Sequence, residues 1–197
     1  DLNLIILTFV MMANSKYIEV ECDEIKHLFN GGLILVVTAT DLETTATHDR
    51  LKPLIGYDSI IKVYEGELTY YFGIMGKYKI AHVQSSMGSI SRDSSIMTIR
   101  AAIEKLKSKV VIMIGIAFGV DKGKQNIGDV LLSESIIPYD SKRIGKKRTI
   151  LRGIEAPSSK LLLNRFRNIK ITWEHFLDEN KRAKLIPTRF LSGEELV

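Results

Sequence analysis

Almost none of the residues that build disulfide scaffolds and metal centres are present in this chain. One cysteine, Cys22, allows no intrachain disulfide, and the four histidines are scattered without ligand spacing. Neither a cystine-stapled secreted fold nor a structural zinc site is suggested. No metal or cofactor is called for, and a reducing, cytoplasmic setting fits best. Internal repeats, low-complexity tracts and an obvious interdomain linker are also lacking. The strongly apolar stretch LNLIILTFVMM, residues 2–12, falls short of the roughly 20 residues that span a bilayer. It has no positive n-region and no small-residue cleavage site, so neither a signal peptide nor a membrane partner is expected.

What remains is an ordinary globular composition, with 45% hydrophobic and 26% charged residues in a chain of 197. That length supports one sizeable core and makes two full domains an unnecessary reading. The chain begins at Asp1 rather than methionine, so residues 1–30 are read as an extension or the end of a preceding element. The net charge of +5 is partly local, with Lys142, Arg143, Lys146, Lys147, Arg148 and Arg152 close together. Such a run can meet phosphate, but no aromatics are interleaved for base stacking, so a solvated hairpin face is preferred over a nucleic-acid partner.

Periodicity places the elements. Leu33 to Thr38 (LILVVT) is a continuous β-branched run after Gly31-Gly32, the pattern of a buried central strand. A helix is expected from Leu42 to Leu54, capped by Asp41 or Thr40. Strands follow at Tyr57 to Val63, Leu68 to Met75 and Tyr78 to Ser85, the last two joined by a turn at Gly76-Lys77. Ile96, Ile99, Ile103 and Leu106 recur at helical spacing within Ser91 to Lys107, and the strand Val110 to Ile114 starts almost at once. Strand, helix, strand in that rhythm implies a crossover with parallel pairing. Further on, VLLSESIIPY reads as a strand, Pro157 to Arg167 and Trp173 to Arg182 as helices, and LIPTRFL as a last strand. The whole is an α/β fold, a central mixed β-sheet flanked by helices, in one domain over residues 31–197.

Three segments put small or polar residues just past an apolar strand: TATDLET (38–44), SSMGS (85–89) and GIAFGV (115–120). Strand ends in open α/β sheets converge on one crevice, so three such exits suggest one shared pocket. Taken singly each is weak. Gly115 to Gly119 also suits plain packing, Phe118 suits a core, and Glu43 also suits a helix's first turn, where a carboxylate faces the positive end of the macrodipole.

In combination these segments, with GDVLLSE at 128–134, YD at 139–140 and LSGEELV at 191–197, resemble the purine nucleoside phosphorylase superfamily. Within it they are most similar to the methylthioadenosine/S-adenosylhomocysteine nucleosidase branch, from about Leu33 to Val197. The resemblance implies a three-layer fold, a small-molecule purine nucleoside or nucleotide as partner, hydrolysis of its N-glycosidic bond, and a homo-oligomer, dimer or ring. It also implies residue roles. Glu43 stands where the family activates the attacking water, with Ala39 and Thr40 bordering the water and ribose. Ser85 stands where a serine bonds near the nucleophile, and Gly88 where a glycine lets the backbone approach. Ala117 and Phe118 would flank the purine, Leu196 replaces a stacking aromatic, and Val197 would read the purine edge with its backbone.

Two departures refine that picture. Met113 and Ile116 occupy the places of the phosphorylases' phosphate-holding arginine and serine, which favours water over phosphate as the nucleophile. The family's ribose-binding Glu-Met-Glu segment and purine-protonating aspartate lie past LSGEELV. The resemblance therefore implies a C-terminal part missing here and a catalytic set completed beyond Val197. A non-catalytic purine-binding or regulatory module of a larger protein is the alternative, and a phosphorolytic enzyme a further one.

Overall fold

The computed structural model describes residues 16–29, 32–86, 95–119, 123–138, 142–144, 149–151, 154–169, 171–179 and 181–192. The chain divides into two compact units, Asp1–Ile116 and Ala117–Val197.

The first unit is built on a six-stranded mixed sheet. Its strands are β1 (Tyr17–Glu19), β2 (Leu33–Thr38), β3 (Ile60–Glu65), β4 (Leu68–Met75), β5 (Tyr78–Gln84) and β6 (Val110–Met113), in the order β1-β3-β4-β5-β2-β6. The strands β3, β4 and β5 form an antiparallel meander whose tight turns fall at Gly66 and Gly76, both at φ 60°. Around β2 the pairing changes character, because β2 lies parallel to both β5 and β6. The carboxyl ends of β5, β2 and β6 therefore share one edge of the sheet, as the crossover rhythm in the sequence requires.

The continuous apolar run of β2 is explained by burial on both faces. Leu35 and Val37 join Ile61, Val63, Phe72 and Val83 on one face, covered by a 3-10 helix at Cys22–Leu28 and by Ala102 and Leu106 of a helix at Ser95–Leu106. Val36 packs on the other face with Leu51, Ile60 and Ile80. The helix α1 (Asp41–His48) covers that side at the strand's exit, and the Ser95–Leu106 helix is α2. α1 stops six residues earlier than the sequence suggests. Leu51 and Lys52 are drawn instead to β4, where Lys52 and Ile74 exchange backbone hydrogen bonds of 2.9 and 2.7 Å. Tertiary pairing overrides a local preference that the β-branched Thr44, Thr45 and Thr47 had already weakened. β3 likewise begins at Ile60 rather than Tyr57, after a bend at Asp58 and Ser59.

The second unit has its own small sheets. Among the described residues its strands are β7 (Val130–Pro138), β8 (Lys142–Ile144), β9 (Thr149–Leu151), β10 (Ala156–Pro157) and β11 (Leu185–Ser192), and its helix is α3 (Lys160–Ile169). β7 pairs with β10 and β11, while β8 and β9 form the hairpin expected under the basic cluster. The helix expected at Trp173 to Arg182 is absent. Phe176 and Arg182 bridge antiparallel, and Leu177 N–H donates to the Lys181 carbonyl at 2.8 Å. The Asp178-Glu179-Asn180 sequence is turn chemistry, and backbone groups pair across it rather than along a helix. Among the described residues no helix is long and apolar enough to cross a membrane.

Candidate functional site

Where β2 ends, the chain turns sharply into α1, and the turn is organised by a capping box. Thr40 is extended (φ −127°, ψ 157°), and its hydroxyl accepts from Glu43 N–H at 3.3 Å. Glu43 reaches back in return, with Oε2 accepting from the N–H groups of Ala39 and Thr40, both at 3.0 Å. Half of the carboxylate is thereby fixed by the strand exit that precedes it.

The other half is held from across the sheet. Past β6, Ile114 N–H donates to the Val37 carbonyl at 2.9 Å, keeping the third exit beside the first. The chain then presents Ile116 N–H to Glu43 Oε1 at 2.8 Å. Gly115 makes the approach possible, since a Cβ there would stand 3.1 Å from the same oxygen. The second exit joins through Ser85, whose N–H and hydroxyl both reach the Thr38 carbonyl, at 2.9 and 3.2 Å.

Three backbone donors thus converge on one carboxylate. Burial pushes the Glu43 carboxyl up, but the amides of Ile116, Ala39 and Thr40, with the Thr40 side chain, outweigh it and hold the group below its ordinary value. A carboxylate offers about four lone-pair sites. Oε2 accepts from two backbone amides and Oε1 from one, so Oε1 has a second site that no backbone amide of the described residues takes.

Beneath this turn lie two buried histidines, His48 at 4% exposure and His82 at 0%, with Nε2 of the first 3.0 Å from Nδ1 of the second. Burial lowers both, His48 to about 4 and His82 to about 3. Among the described residues no cluster of His, Cys, Asp and Glu suits a metal ion.

Of the residues named from sequence, Ala39, Thr40, Glu43 and Ser85 are brought together at one end of the first sheet. Ala117 and Phe118 open the second unit, where Phe118 is 82% exposed rather than part of a core. Gly88, Leu196 and Val197 lie outside the described residues, as do Tyr139 and Asp140. The Ile116 amide, Thr38, Thr44 and the histidine pair were not anticipated. His82 had a sequence signal, a polar residue at an inward position of the apolar strand KIAHVQ. Ile116 had none, because what it contributes is backbone. A cleft of about 340 Å³ lies away from Glu43, on the outer face of α2, and its lining is mainly Ile96, Ile99 and Ile103.

A family profile described as the phosphorylase superfamily matches residues 34–175. The chain belongs to the phosphorylase superfamily. A curated relative, the death domain-containing ATP nucleosidase of Amphimedon queenslandica, is 29% identical over 162 residues, which are 79% of this chain and 30% of the relative. The chain therefore spans under a third of that protein's length. Two solved structures share the superfamily fold. The 5'-methylthioadenosine/S-adenosylhomocysteine nucleosidase of Neisseria meningitidis, in complex with methylthio-immucillin-A, superposes with a TM-score of 0.63 at 17% identity, over 85% of this chain and 67% of that one. Futalosine hydrolase of Helicobacter pylori gives 0.62 at 16% identity, over 85% and 69%. This superfamily member is thus similar to nucleosidases in sequence and in fold.

Proposed function

We propose that this superfamily member hydrolyses the N-glycosidic bond of a purine nucleoside or nucleotide, and that Glu43 orients and activates the water. The observation that carries the reading is the Glu43 carboxylate, fixed by three amides where three strand exits meet, with one acceptor site on Oε1 left for a water proton. Cleavage breaks the bond between C1′ and the base nitrogen, and the electron pair departs with the base. As positive charge builds on C1′ and the ring oxygen, an ionised carboxylate nearby stabilises it. Water oxygen bonds to C1′, and its proton passes to Glu43. The proton required by the departing base comes from a different group. Since its amide donors make Glu43 a weak base, transfer follows once the cation has acidified the water.

Water suits the site better than phosphate. Ile116 spends its amide on Glu43, and a phosphate at that position would meet the carboxylate's charge. The substrate class rests on the superfamily likeness, and the likeness to an ATP nucleosidase makes ATP the first nucleotide to assay beside methylthioadenosine, S-adenosylhomocysteine, adenosine and inosine.

One observation favours the alternative of a purine-binding module without turnover. Glu43 completes a capping box and ties β6 to α1, so its position also has a structural account. Full-length protein carrying Glu43→Gln separates the two. Base release followed by chromatography is expected to fall about a hundredfold or more in kcat. Release at the wild-type rate sinks the water-activating role. Calorimetric nucleoside binding with no base release by the wild type supports the binding module instead.

A further inference from the structure

A continuous run of hydrogen bonds passes beneath α1, and its direction can be worked out proton by proton. It starts at Asp41, whose carboxylate is approached by the Gln84 side-chain nitrogen at 2.9 Å. A carboxylate acceptor requires the amide NH₂ on that side, which turns Gln84 Oε1 toward Thr44. The Thr44 hydroxyl must then donate to Oε1, at 2.8 Å, and its single proton is used. At 2.7 Å Thr38 Oγ1 can only donate to Thr44 Oγ1, which uses the Thr38 proton in turn. His82 Nε2, 2.9 Å from Thr38 Oγ1, must therefore carry hydrogen. In the neutral ring this leaves Nδ1 bare, so it accepts from His48 Nε2–H at 3.0 Å. By the same step His48 Nδ1 is bare and accepts from Tyr17 O–H at 2.9 Å. Each donor proton from Tyr17 to Asp41 points the same way, and both histidines are Nε2–H tautomers.

The middle of this chain brackets the turn that holds Glu43. Thr38 immediately precedes Ala39, whose N–H donates to Glu43, and Thr44 immediately follows Glu43 on α1. The Thr38–Thr44 bond closes the loop 38–44 from below while the capping box closes it from above. Lateral freedom of α1 on the sheet is limited by His82 on β5, His48 at the end of α1 and Tyr17 on β1. Among the described residues the remaining polar neighbours of the histidine pair are Lys16 and Asp49, which pair with each other at 2.8 Å, and the ring of Tyr71.

We infer that this one-way chain from Tyr17 to Asp41 positions the Glu43 carboxylate, with His82 and Thr44 as its principal positioning residues. The inference rests on the proposed water-activating role of Glu43 for its catalytic consequence, but its geometry can be tested without turnover.

Thr44 offers the sharpest test, on full-length protein. Thr44→Val keeps the shape and removes the hydroxyl, whereas Thr44→Ser keeps the hydroxyl and loses a methyl. Positioning through the bond predicts kcat for base release about tenfold lower in Thr44→Val, with KM little changed and Thr44→Ser near wild type. Plain packing predicts the reverse order, and that order would overturn the inference. Two readouts need no activity. Long-range ¹H–¹⁵N correlation at neutral pH should show both histidines as Nε2–H tautomers, and an Nδ1–H tautomer at either ring refutes the chain. Hydrogen exchange at the Ile116 amide should quicken in Thr44→Val and not in Thr44→Ser; equal rates in all three proteins also refute it. A wild type that releases no base from any substrate refutes the nucleosidase reading alone, and the tautomers and the Ile116 amide still decide on the chain.

Discussion

Acid is expected to unfold this protein earlier than its carboxylates alone would dictate, because the histidine pair is held neutral. Burial brings His48 from 6.5 to about 4, with Lys16 pushing it down and Asp49 partly opposing. His82 falls to about 3 through burial and the proximity of His48. The directed hydrogen bonding explains why neither ring takes a second proton readily, since an added N–H at either Nδ1 would face a donor. Both folded-state values lie below the unfolded one, so the unfolded chain binds more protons, and stability present above pH 6.5 is lost as pH falls. The window runs from about 6.5 down to about 4 for His48 and about 3 for His82. Near pH 5.5 the two sites together differ by close to two protons, a slope of about 2 kcal/mol per pH unit. Between pH 7 and 5 the loss amounts to about 4 kcal/mol, large against the 5–15 kcal/mol typical of a folded protein. Carboxylates with ordinary values near 4 remain mostly ionised in both states above pH 5.5, so they add little in the upper part of this window. Urea unfolding of the full-length protein, followed by far-UV circular dichroism from pH 7.5 to 5, reads the slope directly. His82→Gln should roughly halve it, whatever its effect on absolute stability. A flat profile between pH 7 and 5.5, or an unchanged slope in His82→Gln, would refute the reasoning.

Three substitutions test other parts of the structure. Gly115→Ala places a Cβ 3.1 Å from Glu43 Oε1 and should lower kcat more than it lowers the unfolding midpoint; the opposite balance contradicts the close approach. Thr40→Ala removes the acceptor of the capping box and should cost about 1 kcal/mol in urea unfolding, a loss that Thr40→Ser should largely avoid. At Gly73 a Cβ would meet Leu51 Cδ2 at 2.5 Å and the Lys52 carbonyl at 2.7 Å, so Gly73→Ala should lower stability by about 1–3 kcal/mol. A neutral Gly73→Ala would show that the Lys52–Ile74 bridge yields easily.

The central part of the fold was written plainly in the sequence. LILVVT declares a strand buried on both faces, and the spacing of Ile99, Ile103 and Leu106 announces the crossover helix that carries the chain from β5 over β2 to a parallel β6. Glu43 was legible as a position, since Thr40 followed three residues later by a glutamate is the pattern of the capping box the structure shows. The errors fall where distant pairing decides. Nothing near Leu51 and Lys52 says that β4 will take them, and the cross-turn bonds of Phe176 to Arg182 compete with a helix of similar local merit. Contributions made by backbone, such as the Ile116 amide, leave no side-chain signature. The histidines were visible as residues and invisible as a pair, since 34 positions separate His48 from His82.

The clasp between Glu43 and Ile116 also bears on the order of folding. It joins residues 73 apart, whereas the β3-β4-β5 meander needs only tight turns at Gly66 and Gly76. Closing long loops is slow, so the meander is expected to form early and the clasp late, after β6 has docked on β2. A folding intermediate with the meander complete would already contain most of the first unit's antiparallel pairing, yet its carboxylate would still be loose. A firmly held Glu43 is then the last feature the first unit acquires as it folds.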